Sequence, residues 1–209
     1  MIKAILFDLD GTLTDSETYY TETTCCWLKE AGIDVDRKLV NGIVGLSMDE
    51  TYRYLSKISG LDYSSVKRLN EDYQKRHPLV YSDVLFDDVM PLFEELKKRG
   101  IKIAICSMSQ TSYIRRCIEE CSLDGYVDYY ISGDTCERQK PDPEIYQKAL
   151  RELGIDNKEA IAVEDSKQGI ASSKAAGIFT LARNSEKLNI NQSSADIIFN
   201  DIREILKLL

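Results

Sequence analysis

Histidine is almost missing from this chain: His77 is the sole one in 209 residues. It precedes Pro78 in a polar stretch that reads as a loop, where a lone imidazole is ordinarily solvated. A metal centre built on histidine is therefore excluded. The six cysteines do not supply one either. Cys25 and Cys26 are neighbours, Cys117 and Cys121 lie one helical turn apart, and no CxxC spacing occurs. They read as reduced thiols of a cytoplasmic protein, not as a disulfide framework or a zinc site. No lysine/arginine cluster forms a stripe, and the formal net charge is −8, so no nucleic-acid partner is expected. No apolar run approaches the roughly 20 residues that span a bilayer, and no membrane association is expected. The N-terminus enters a strand at once, with no charged-then-apolar leader.

The chain does hold apolar, branched runs of strand length. They are "IKAILFDL" ending at Asp8, "IKIAICS" at 101–107, "YVDYYIS" at 126–132, "AIAVED" at 160–165, "GIFTLA" at 177–182 and a short "ADIIF" at 195–199. Helical patterns lie between the later ones. "DPEIYQKALRELG" offers Asp142 as N-cap, Pro143 at the first helical position and Gly154 as stop. "SKQGIASSKAAG" starts after Asp165 and stops at Gly177. Strands alternating with helices predict an α/β fold, a Rossmann-like parallel sheet with helices on both faces.

The first connection breaks that rhythm. Some ninety residues separate the first two strands, where a crossover needs a few tens at most. The excess reads as helices only: one over 16–31, one opened by Ser47 and Glu50 as a capping box, and one from about Ser64 until Pro78 forbids continuation. The expected organisation is a catalytic core of 1–14 and 84–209 with an all-α cap over 15–83. Its insertion directly behind Asp8 and Asp10 makes the cap a lid.

Ligands of open parallel sheets sit beyond the carboxyl ends of the strands. Those ends carry Asp8 and Asp10, then Ser107, then Glu164 and Asp165, with Lys140 in the loop after the third strand. Each alone has an ordinary reading as a turn, a helix cap or a solvated lysine. Gathered in order at one sheet edge, they fit phosphoryl transfer. Oxygen-only ligands suit a hard cation such as Mg2+. A carboxylate can attack phosphorus to form an aspartyl phosphate, and a second acid two residues on can serve the leaving oxygen and then water. Ser107, Lys140 and the amides after Asp8 would hold the phosphoryl oxygens.

"FDLDGTLTDS", the serine ending the second strand, "KPDPEIY" and "VEDSKQGIASSKAAG" together resemble the haloacid dehalogenase superfamily, in its helical-cap phosphatase and beta-phosphoglucomutase-like branch. The resemblance spans nearly the whole chain. It implies Asp8 as nucleophile and Asp10 as general acid/base. It also implies magnesium held by the Asp8 carboxylate, the Asp10 carbonyl and Asp165, with Glu164 close by, and phosphate held by Ser107 and Lys140. The family's dehalogenases lack the second aspartate of the first motif, so Asp10 argues against carbon–halogen cleavage. Where the mutases carry a cap histidine and arginine, this sequence has Tyr20 and Met48.

The expected activity is a Mg-dependent phosphatase of a small phosphorylated metabolite, a sugar phosphate or similar monoester. Two alternatives stay open: a beta-phosphoglucomutase-like phosphotransferase, and a non-enzymatic, metal-dependent phosphate-binding module. Cap residues expected at the substrate are Tyr19, Tyr20, Thr23, Trp27 and the turn from Gly45 to Met48. Nothing in the sequence sets an oligomeric state, and a monomer is compatible with it.

Overall fold

A computed structural model describes residues 1–185 and 190–209. The chain begins with β1 (Ala4–Phe7), followed by α1 (Ser16–Glu30), α2 (Arg37–Val40), α3 (Met48–Ser59) and α4 (Tyr63–Arg76). Then come α5 (Tyr81–Val84), α6 (Val89–Lys98), β2 (Lys102–Ser107), α7 (Thr111–Glu120), β3 (Tyr129–Ser132) and α8 (Glu144–Leu153). Next come β4 (Ala160–Glu164), α9 (Lys167–Ala175), β5 (Phe179–Arg183) and β6 (Ile197–Phe199), and a 3-10 helix over Ile202–Leu208 follows.

The strands form one parallel sheet in the order β3-β2-β1-β4-β5-β6. Alternation along β1 shows why its sequence is apolar throughout. Ala4 and Leu6 join the cluster that contains Ile145, Tyr146 and Ala149 of α8. Phe7 points the other way and meets Phe93 of α6 at 5.2 Å between ring centroids. Helices therefore cover both faces, as the sequence pattern requires.

Register places the chemistry. Phe7 sits level with Ile105 on one side and Val163 on the other. One step further, the Asp8 N–H donates to the Val163 carbonyl at 2.8 Å. Asp8 thus leaves the sheet at the same height as Cys106 and Glu164, in the middle of the carboxyl edge.

The chain divides into two compact units, Met1–Asp15 with Tyr81–Leu209, and Ser16–Val80. Residues 81–84 lie with the sheet and not with the helices that precede them: the Tyr81 N–H donates to Glu120 of α7 at 2.6 Å, and the Asp15 N–H donates to the Val84 carbonyl at 2.7 Å. The second unit is helical and has its own core, in which Trp27, Leu28, Tyr52, Leu55, Val66 and Tyr73 are buried together. Its α3 opens on the Ser47–Glu50 capping box. Its α4 opens on Asp62, whose carboxylate accepts from the Ser65 N–H, and ends at Arg76, ahead of Pro78.

Two local expectations need correction. Asp142 is not the N-cap of α8. Pro143 already has helical angles, φ −73° and ψ −3°, and takes the cap position, while Asp142 accepts from the Glu144 N–H at 3.0 Å. The third strand starts at Tyr129, not 126, because the Tyr126 and Val127 amides both turn back to the Leu123 carbonyl.

Candidate active site

The loop after β1 closes on one carbonyl. The amides of Thr12, Leu13 and Thr14 all point at the oxygen of Leu9, at 3.3, 2.9 and 3.1 Å. Gly11 bends the chain with φ +79°, a conformation that L side chains avoid. A Cβ there would lie 2.2 Å from Oδ2 of Asp165. Glycine lets the first loop and the Asp165 carboxylate approach each other.

Lys140 is the hub. Its ammonium donates to Asp8 Oδ1 at 2.6 Å, to Glu164 Oε1 at 2.7 Å and to the Cys106 carbonyl at 2.8 Å. Its side chain is only 3% exposed, so the reading of a solvated lysine is excluded. Burial pulls the ammonium pKa down, but Asp8 and Glu164 outweigh it and hold it well above the usual lysine range. Burial also pushes the Asp8 carboxyl up to about 8, with Lys140 pulling it down and Glu164 pushing it further up. The loop that delivers Lys140 is tied by Glu144, whose carboxylate accepts the Glu137 and Arg138 amides, each at 2.9 Å.

Glu164 is fully buried, and its Oε1 also accepts from the Tyr146 hydroxyl. Its Oε2 has no hydrogen-bond partner among the described residues. An ionised oxygen buried without a donor is costly. Asp8, Glu164 and Asp165, all buried, bring one carboxylate oxygen each within 4.8 Å of one another. An acceptor-only oxygen set with an orphaned buried member fits a hard divalent cation.

On the other side of Asp8, Asp10 is half-buried and its Oδ2 accepts from the Ser109 hydroxyl at 2.6 Å. Ser107, 1% exposed, accepts the Ser109 amide on its Oγ at 2.9 Å. Asp165 is held from behind. Gln192 donates to its carbonyl at 2.6 Å and to that of Arg183 at 2.6 Å.

The structure thus brings Asp8, Lys140, Glu164 and Asp165 into one cluster and links Asp10 to the Ser107 turn through Ser109. Tyr146, Ser109, Glu144 and Gln192 were not singled out from sequence. Tyr146 and Glu144 stand inside the quoted "KPDPEIY" and carried that signal. Gln192 carried none.

Tyr20, Gly45 and Met48 belong to the helical unit. Tyr20 is half-buried and packs edge-on against Tyr19, centroids 5.5 Å apart. Gly45 is exposed with φ +74°, and Met48 is 55% exposed. Three further cap expectations meet competing engagements. Trp27 is 2% exposed within the helical core. The Thr23 hydroxyl bonds back to the Tyr19 and Tyr20 carbonyls of its own helix, and the Tyr19 hydroxyl donates to the His77 carbonyl.

The haloacid dehalogenase-like hydrolase family model matches residues 5–183, which include Asp8, Asp10, Ser107, Lys140, Glu164 and Asp165. The chain belongs to that family. As a member this hydrolase meets the recognition, the α/β fold and the enzyme class that its sequence implied. A phosphorylated carbohydrates phosphatase of Thermotoga maritima is 28% identical to it, covering 85% of this chain and 82% of that protein. A beta-phosphoglucomutase of Bacillus subtilis is 27% identical, covering 86% and 82%. CbbY from Rhodobacter sphaeroides, solved in complex with phosphate, superposes with a TM-score of 0.76 at 24% identity, over 98% of this chain and 96% of that one. At that identity the likeness concerns the fold. No helix among the described residues is long and apolar enough to cross a membrane.

Proposed function

We propose that this hydrolase is a magnesium-dependent phosphatase of a small phosphorylated metabolite, a sugar phosphate or similar monoester, working through an aspartyl phosphate on Asp8. One observation carries the reading: a buried lysine pins the Asp8 carboxylate beside Glu164 and Asp165. A second acid, Asp10, stands two residues on.

In the first half-reaction an Asp8 oxygen forms a bond to phosphorus while the bond from phosphorus to the leaving oxygen breaks. Asp10 gives that oxygen its proton. In the second, Asp10 takes a proton from water, whose oxygen attacks phosphorus and releases Asp8. Lys140 and Ser107 hold phosphoryl oxygens as charge shifts among them. The carboxylates of Asp8 and Asp165 and the Asp10 carbonyl, with Glu164 beside them, would hold magnesium, which supplies the positive charge that keeps Asp8 ionised. The helical unit serves as lid and selects substrate through Tyr20, Gly45 and Met48. Its insertion point in the chain, directly behind Asp10, supports this. Six free thiols support a reducing, cytoplasmic setting.

The mutase reading is favoured by the Bacillus subtilis relative and by the solved structure of a putative beta-phosphoglucomutase from Thermotoga maritima, 26% identical to this chain with a TM-score of 0.82. A mutase must keep its aspartyl phosphate from water while the sugar turns round. Tyr20 and Met48, at the positions matched to the mutases' histidine and arginine, give it neither a ready base nor a cation. The test offers the enzyme beta-glucose 1-phosphate with magnesium and a bisphosphate primer, alongside a panel of phosphorylated metabolites. Phosphate release exceeding isomerisation is expected. Glucose 6-phosphate with little free phosphate would establish the mutase, and phosphate binding without release would establish the binding module.

A further inference from the structure

We infer that Arg183 is a positioning residue that fixes the loop after β1 against β5, two strands away, an inference that rests on the phosphatase reading above. Arg183 ends β5, one step beyond Ala182, which lies level with Glu164. Its side chain is only 8% exposed. Nε donates to the Thr12 carbonyl at 2.8 Å, across 171 positions of chain, and Nη2 donates to Asp88 Oδ1 at 2.7 Å. A buried arginine facing an aspartate is ordinarily a structural pair. The Thr12 bond ties this one to the site, because Thr12 stands two residues beyond Asp10.

The bonds inside the loop shape it without fixing it to β5. Three amides close on the Leu9 carbonyl, and the Gly11 N–H donates to the Thr14 carbonyl at 2.8 Å. Thr12 itself is fully buried, and its hydroxyl has no hydrogen-bond partner among the described residues. Its peptide groups therefore carry its polar ties, and the carbonyl's tie is Arg183. The guanidinium has little room to follow if that carbonyl turns. Its Cζ lies 4.1 Å from the centroid of the Phe86 ring, and the Phe86 N–H donates to the Leu13 carbonyl of the same loop at 3.0 Å. The Arg183 backbone is held as well, since Gln192 donates both to its carbonyl and to that of Asp165, each at 2.6 Å. Thr12 and Asp165 are thereby referred to one strand end.

The chemical consequence is one of alignment. Asp8 is placed independently of Arg183, its N–H donating to the Val163 carbonyl at 2.8 Å. A loop released from Arg183 lets Asp10 sample more positions relative to Asp8. Fewer encounters are then aligned for transfer.

Arg183→Ala is a poor test, because it leaves the Asp88 carboxylate buried and unpaired and could unfold the protein. The informative pair is Asp88→Asn alone and Arg183→Met combined with Asp88→Asn. Asp88 serves two donors, Arg183 on Oδ1 and the Ile202 N–H on Oδ2 at 2.9 Å, whereas asparagine offers one acceptor oxygen. Asp88→Asn should therefore lower the melting temperature. The Thr12 bond is kept, so kcat on 4-nitrophenyl phosphate with magnesium should stay within about twofold. In the double variant the asparagine oxygen is left to Ile202 and no charge is buried unpaired, so it should melt no lower than Asp88→Asn. Its kcat should nevertheless fall about tenfold. Amide exchange followed by NMR should show Thr12 and Leu13 exchanging about tenfold faster in the double variant, with Ile5 to Phe7 of β1 unchanged. Turnover that follows melting temperature through both variants would make Arg183 structural only and overturn the inference. Unchanged exchange at Thr12 and Leu13 would overturn it whatever the rates. A wild type that releases phosphate from no monoester defeats the phosphatase reading and the inference with it. An active wild type with an equally active double variant defeats the inference alone.

Discussion

Gly169→Ala pits two effects of opposite sign against each other at a single atom. Gly169 lies in the first turn of α9, behind the Ser166 cap. Helix propensity alone favours alanine there by about 0.5–1 kcal/mol. The structure opposes it. A Cβ at 169 would sit 1.9 Å from Oε2, 2.1 Å from Cδ and 2.2 Å from Oε1 of Glu164, a separation real Cβ atoms do not show. The carboxylate cannot step aside cheaply, because it is fully buried and its Oε1 is held by Lys140 and Tyr146. Moving it sacrifices a charged hydrogen bond, about 1.5–3 kcal/mol, and overpacks the surrounding core for about 1–3 kcal/mol more. Sterics therefore win, with a net loss of roughly 2–5 kcal/mol. At about 2–4 °C per kcal/mol for a chain of this size, the melting temperature should fall on the order of 10 °C. Thermal melting by circular dichroism reads this directly. Gln168→Ala, one residue earlier and exposed, is the control for propensity alone and should melt with the wild type. A Gly169→Ala protein that melts at or above the wild type with full activity would refute the placement of Glu164 and the cluster built on it.

Three further outcomes are expected. Asp8→Asn should abolish turnover while the fold is kept, and Asp10→Asn should slow it by ~10²–10⁴-fold, measured as phosphate release; wild-type rates in the first would refute the nucleophile. Turnover should require magnesium, stop in excess chelator and be inhibited by calcium, which takes more oxygen ligands at longer distances; activity that follows zinc and ignores magnesium would count against the oxygen-ligand site. Glu144 is held down at about 2, below the ordinary 4.5, by the Lys148 ammonium and the Glu137 and Arg138 amides. A depressed carboxyl stabilises the fold above its unfolded pKa and loses that contribution as pH falls toward 2. Glu144→Gln should therefore lower the melting temperature near neutral pH and converge with the wild type at acid pH. A gap that stays constant between pH 7 and pH 3 would show that the carboxylate charge plays no part.

What could be read from the sequence was whatever the backbone alone positions. Asp8, Ser107 and Glu164 stand at strand ends, and a parallel sheet brings such ends level without help from any side chain. Lys140 needed only a loop of the right length. The capping box at Ser47 is equally local, both partners lying three residues apart. What escaped depends on partners remote in sequence. Ser109 in "SMSQ" looks like an ordinary turn serine until β1 sets Asp10 beside it. Gln192 lies 27 residues beyond the carbonyl it holds, in a polar stretch with no periodicity. Asp142 failed as N-cap for a different reason: its carbonyl accepts from the Ser172 hydroxyl at 2.6 Å, and the Gln147 N–H bonds to the Pro143 carbonyl at 3.0 Å, so the helix opens one residue later than the aspartate pattern implied. Trp27 shows the remaining limit, since periodicity marks a helix face as apolar without saying what it packs against.

The two carboxylates that follow β1 pose an energetic question that their surroundings answer. Asp8, Glu164 and Asp165 share a buried cluster with Lys140, so the carboxyl groups there outnumber the one ammonium. Burying even a paired ion costs several kcal/mol, and unbalanced charge costs more. A fold selected for stability alone would replace such a cluster with apolar side chains, which the flanking Ile105 and Val163 show the sheet accommodates. The chain instead spends two glycines on it, Gly11 against Asp165 and Gly169 against Glu164, at each of which a Cβ would collide with a carboxylate. Oxygen-only donors and a Glu164 Oε2 without a hydrogen-bond partner among the described residues are the physical case for a divalent cation. Burial, with Glu164 beside it, pushes the Asp8 carboxyl up to about 8 against the pull of Lys140, and a cation held in the cluster would favour its ionised form.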